Sequence, residues 1–165
     1  MTAGPADIEV INAEFPRGPF RAAIFDFDGT LSLLRRNWQD VMIPMMVDLL
    51  AATGTTETRD QLGVVVEDFV MRLNGRQTIY QMIQLREELQ ARGASPLTPL
   101  EYKHQYHDKL WRQVEQRVEA ARQDAESRAQ MIVPAADQFL RDVQTAGIEM
   151  YLASGTDLLY VRDEV

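Results

Sequence analysis

The chain has 165 residues, enough for one domain or for a small core carrying an inserted lobe. Its formal net charge of −8 argues against a nucleic-acid partner, and the absence of cysteine excludes disulfides and thiol chemistry. An apolar fraction of 45% is ordinary for a globular protein, and with no secretory pattern and no membrane-length apolar run a cytoplasmic protein is expected.

Residues 1–18 read as a lead-in, with Ile8-Glu9-Val10-Ile11 a short edge strand or part of a loose terminus. Pro16-Arg17-Gly18-Pro19 marks a turn. The stretch Arg21-Ala22-Ala23-Ile24-Phe25-Asp26-Phe27-Asp28-Gly29-Thr30-Leu31 follows. Its apolar start has the character of a strand buried on both faces. The period of two sends Asp26 and Asp28 to one side and Phe27 to the other, and Gly29 allows a tight turn. At about 5 Å and an effective dielectric near 20, two such carboxylates repel by roughly 3 kcal/mol. That repulsion calls for a cation, and a hard divalent ion suits oxygen ligands.

Helical periodicity then dominates about a hundred residues. Trp38, Val41, Met42, Met45, Met46, Leu49 and Leu50 share a helical face, with Asn37 as the expected N-cap. The methionines read as packing, and Pro44 is expected to kink or split the helix. A second helix is predicted over 59–73, with Leu62, Val65, Val66, Phe69 and Val70 inward and Asn74-Gly75 closing it. A third, over 77–91, places Ile79, Met82, Ile83, Leu85 and Leu89 on one stripe before Gly93. Thr98-Pro99-Leu100-Glu101 has the form of a capping box with proline at the first helical position. The helix it opens runs through Tyr102, Tyr106, Leu110, Trp111, Val114 and Val118, as far as Arg128. From Glu115 to Gln130 charge and alanine dominate, which reads as a solvated face.

Pro134 opens a helix over 135–146 with Phe139, Leu140 and Val143 on its apolar side, and Gly147 stops it. Ile148-Glu149-Met150-Tyr151-Leu152-Ala153 is a second strand of buried type, ending in Ser154-Gly155-Thr156-Asp157. Strand, helical insert, helix and strand is the order of a parallel crossover. Ligands of open α/β sheets bind beyond the carboxyl ends of the strands, where Asp26 and Ser154 would meet.

Asp26-Phe27-Asp28-Gly29-Thr30 after an apolar strand resembles the first motif of the haloacid dehalogenase superfamily, the aspartate-nucleophile phosphohydrolases. The strand ending in Ser154 resembles its second motif. The resemblance implies that Asp26 is the nucleophile that forms an aspartyl-phosphate and that Asp28 is the general acid/base. It implies that Ser154 and the Gly155 amide hold the phosphoryl group. Mg²⁺ would bind the Asp26 carboxylate and the Asp28 backbone carbonyl. An acid at the second position is carried by the family's phosphatases and phosphomutases, not by its dehalogenases or ion-pumping ATPases.

The implied fold is α/β: a partial Rossmann-like parallel core from residues 1–31 and 134–165, with an all-helical cap at 32–133. Such a cap follows the first motif in relatives of the phosphoglycolate phosphatase and β-phosphoglucomutase kind. The family's later parts, a Lys or Arg and an acidic pair, lie downstream of the second motif. Lys103 and Lys109 are the lysines present, both in the cap, and Arg162 follows the second motif closely. The ending Asp163-Glu164-Val165 reads as mid-helix, so a truncated gene product is expected.

The implied function is a Mg²⁺-dependent phosphatase of a small phosphorylated metabolite. A phosphosugar mutase and a non-catalytic helical interaction module are the alternatives. Arg35, Arg36 and Arg76 are candidates for gripping substrate from the cap, or surface charges. Thr30 bonds phosphate or metal-bound water, or its own turn. His104 and His107, three apart with Asp108 adjacent, are a metal pair or a solvated face.

Overall fold

The computed structural model describes residues 11–15, 18–158 and 161–162. The edge strand read at Ile8 to Ile11, the start of the Pro16 turn and the ending at Asp163 to Val165 lie wholly or mostly outside these residues. The described fold is α/β and mostly helical, with a small parallel sheet. The elements in order are β1 (Ala22–Asp26), α1 (Gln39–Ala51), α2 (Arg59–Arg72), α3 (Thr78–Ala91), α4 (Pro99–Gln123), α5 (Ala125–Gln130), α6 (Ala136–Thr145) and β2 (Glu149–Ala153). The β1–β2 pairing is parallel, with Ala22 opposite Glu149 and Asp26 opposite Ala153. Both strands therefore end level, which sets the residues after Asp26 beside those after Ala153.

Helices α1–α4 pack around one apolar core. Met46, Leu50, Leu62, Val66, Val70, Met82 and Leu85 are fully buried there, each stabilising the fold by roughly 1.5–3 kcal/mol relative to an exposed side chain. Thr58 and Gln61 form a capping box at the start of α2, and Thr98 and Glu101 form another at α4. Among the described residues no helix is long and apolar enough to cross a membrane.

Several local expectations need correction. Asn37 is not the cap of α1; it has a left-handed φ of 65°, and Trp38 occupies the cap without a side-chain bond. Pro44 does not split α1, which is continuous from Gln39 to Ala51. Pro44 and Asp40 both lie on the exposed side, so the carbonyl that proline leaves unpaired faces water. On α3 the buried stripe is Gln81, Met82, Leu85 and Leu89, while Ile83 is 40% exposed. The charged segment breaks at Asp124, whose extended backbone ends α4 and whose carboxylate caps α5.

The largest departure concerns the strands. Neither is buried on both faces: Ile24 is 74% exposed and Tyr151 53%. α6 covers one side, with Phe139 edge-on to Phe25 at 6.1 Å, yet Phe139 itself stays exposed. Among the described residues no layer covers the other face, and a parallel sheet needs two. An apolar groove of about 720 Å³ lies along the sheet, bordered by Phe25, Phe27, Leu34, Met131, Leu140 and Leu152, with Arg162 at its margin.

Candidate active site

β1 ends at Asp26, and Gly29 follows with φ +80°, a value that favours glycine. The Gly29 amide donates to the Ser32 carbonyl and the Ser32 amide to the Phe27 carbonyl, so the turn is tied back on itself. Phe27 is buried, pointing away from the aspartates as the alternation predicts. Asp26 and Asp28 both border a cavity of about 150 Å³. Gly155 and Thr156 border it from the turn after β2, and Arg35, Trp38, Gln81 and Tyr106 from the helical side.

Asp28 sits at the centre of a charge-assisted chain. The Arg35 Nη1 donates to Thr156 Oγ1 at 2.8 Å, and Thr156 Oγ1 donates to Asp28 Oδ2 at 3.2 Å. The Arg35 Nε lies 3.8 Å from Asp28 Oδ1. Burial pushes the Asp28 carboxyl above the ordinary aspartate value, reinforced weakly by the Asp26 charge and opposed by Arg35 and the Thr156 bond. A carboxyl held toward its protonated form is suited to give a proton to a leaving group. Thr30 donates its hydroxyl to Asp26 Oδ2 at 3.2 Å. It fixes the neighbouring carboxylate through its own turn.

The turn after β2 is built differently from the expectation. Ser154 Oγ accepts the Thr156 amide at 3.1 Å, and Ser154 is not among the residues bordering the cavity. Thr156, which the sequence reading did not single out, presents its hydroxyl to Asp28. Gly155 packs closely on the turn between α2 and α3: a Cβ there would meet the Arg76 carbonyl at 3.4 Å.

Two buried cations of the helical segment hold this turn. Arg35 is 8% exposed and bonds Thr156. Lys103, 7% exposed, donates from Nζ to both Asp157 oxygens at 2.8 and 2.7 Å. Lys103 bears on the strand-end turn from across the fold, a role the sequence reading missed. Its pairing holds the Asp157 carboxyl below the usual carboxylate range. Arg76 borders the cavity mouth, exposed and 6.0 Å from the Tyr80 ring, while Arg36 is exposed and outside the cavity.

The two histidines part company. His104 is exposed, but His107 is 4% exposed, so the solvated-face expectation fails for it. Burial, with Arg35 and Lys103 nearby, pushes the His107 imidazole down to about 4. Lys103, His107, Leu110 and Val114 recur at helical spacing and are all buried, a stripe whose polar members hid it from the apolar pattern.

Asp28 Oδ1 is buried and makes no hydrogen bond among the described residues. Asp28 Oδ1 has the Arg35 guanidinium beside it, so the Asp26 carboxylate at the cavity is the side chain that fits Mg²⁺, an ion that takes one or two carboxylates and keeps several waters. Among the described residues no group of three or more His, Cys, Asp or Glu surrounds a common point. Comparison with family models, curated proteins and solved structures found no match to the chain.

Proposed function

We propose that the chain is an aspartate-nucleophile phosphohydrolase of the haloacid dehalogenase kind. More narrowly, it is a Mg²⁺-dependent phosphatase of small phosphorylated metabolites. The observation that carries this reading is the shared cavity. Asp26 and Asp28 border it from one strand end, Gly155 and Thr156 from the other, with a buried arginine between. In this reading β1 and β2 belong to the first part of a Rossmann-like core, and helices within 32–133 form its cap.

Asp26 attacks phosphorus while the ester oxygen departs with its electron pair and takes the Asp28 proton. Asp28, now a carboxylate, removes a proton from water as the water oxygen attacks the same phosphorus. The bond to Asp26 then breaks and inorganic phosphate leaves. Thr156 and Arg35 hold the Asp28 carboxyl in place through both steps. The Asp26 carboxylate and the Asp28 carbonyl would hold Mg²⁺, which when bound offsets the charge of the phosphate and the nucleophile.

Hydrolysis of phenyl phosphate with and without Mg²⁺ tests the reading. Asp26→Asn is expected to lower Mg²⁺-dependent turnover by roughly a thousand-fold or more. Unchanged turnover would overturn it. The exposed apolar groove favours a second reading, a helical interaction module without catalysis. Titration with Mg²⁺ and beryllofluoride separates the two: Asp26-dependent binding supports the enzyme, and no binding supports the module.

A further inference from the structure

The cavity wall contributed by the helices carries two buried polar side chains that the phosphatase reading leaves without a task. Gln81 of α3 and Tyr106 of α4 are each 4% exposed, and both border the cavity. Gln81 Nε2 donates to the Val70 carbonyl at 3.1 Å. That carbonyl belongs to the last turn of α2, where helical carbonyls lack an intrahelical donor. A carbonyl can only accept, so the amide must turn its nitrogen to Val70 and its oxygen the other way. The Gln81 oxygen and the Tyr106 hydroxyl make no hydrogen bond among the described residues.

Neither atom is cut off from solvent, so a ligand group that enters the cavity Gln81 and Tyr106 border must replace the hydrogen bonds water gives them. The chemistry of the pair is selective. Gln81 Oε1 can only accept, whereas the Tyr106 hydroxyl can give or take a proton. Burial pushes the Tyr106 phenol far up, so it remains a donor. An aliphatic alcohol can donate to Gln81 or accept from Tyr106, and a polyol can do both. An alkyl tail leaves both unpaired, and a carboxylate brings no proton to Gln81. Trp38, Met42 and Leu110 complete the wall and suit the carbon skeleton. The cavity of about 150 Å³ has room for a small organic group.

We propose that Gln81 and Tyr106 are specificity-determining residues that take a hydroxyl group of the substrate, which makes phosphate monoesters of small polyols the preferred class. The inference rests on the phosphatase reading for its reaction, but it is tested by binding.

Calorimetric titration of Asp26→Asn protein with glycerol 1-phosphate and with n-propyl phosphate compares ligands of equal length that differ in hydroxyls. Binding of the glycerol ester about ten-fold tighter is expected, the worth of one added hydrogen bond in a buried site. In Gln81→Met the ratio should fall to within two-fold. Tyr106→Phe, which keeps the ring, should do the same and serves if the glutamine variant fails to fold. Equal affinities in the parent, a ratio unchanged in both variants, or no binding of either ester would overturn the inference. Phenyl phosphate hydrolysis by the unmodified chain is measured separately. Its loss in Asp26→Asn bears on the reaction, while the glycerol-to-propyl ratio bears on Gln81 and Tyr106 alone.

Discussion

Acid should loosen this protein through His107 before its carboxylates are exhausted. The imidazole titrates near 6.5 when unfolded but at about 4 when folded, because burial and the charges of Arg35 and Lys103 disfavour the cation. Asp157 and His104 also face it, the first partly offsetting the cations. A depressed folded value means that the neutral form is the one the fold accepts. The associated stability is complete above pH 6.5 and is lost as pH falls toward 4. Integrating between pH 7 and 4.5 gives a loss of about 2.5 kcal/mol from this group alone. Urea unfolding of the parent and of His107→Leu at both pH values measures it. The parent should lose about 2.5 kcal/mol more than the variant over that interval, a midpoint difference of roughly 1–2 M urea. Parallel losses in the two proteins, or an imidazole that titrates near 6.5 by NMR in the folded chain, would refute the reasoning.

The Lys103–Asp157 pair is expected to respond unequally to loss of either partner. Asp157→Asn strands a buried ammonium and should cost about 2 kcal/mol in denaturant unfolding, while Lys103→Met leaves a carboxylate that is already half in water and should cost about 1 or less. Phe69→Ala removes a ring 2% exposed at the centre of the helical core and should cost about 3–5 kcal/mol by thermal or urea unfolding. Thr98→Ala deletes the cap of α4 and should cost about 1 kcal/mol, a loss that Thr98→Ser largely restores. Asp28→Asn should lower phenyl phosphate turnover by roughly a hundred-fold or more, read by steady-state kinetics, since the amide cannot supply the proton.

What could be read in advance was local. The α4 start at Thr98 is specified within four residues, and the helix closures at Gly75 and Gly93 each have positive φ as their glycines suggest. The alternation that groups Asp26 with Asp28 against Phe27 is equally short-ranged, and both carboxylates do border one cavity. What escaped was set by distant partners. Arg35 meets Thr156 across 121 positions, and no window around either residue announces the other. The burial expected of β1 failed for the same reason: an apolar run states that a strand can be covered, while coverage depends on layers supplied elsewhere. The burial of His107, expected on a solvated face, and of Gln81 was not legible because periodicity counts apolar side chains, and these polar residues occupy helix positions facing inward.

The level ends of β1 and β2 bear on how the molecule comes into being. Helices α1–α4 assemble from neighbours along the chain, so their contacts form at little entropic cost. Joining Asp26 to Ala153 instead closes most of the polypeptide into one loop, which becomes affordable only after that helical body has already shortened the distance. The pair of aspartates therefore receives its companion turn late on the route to the native state.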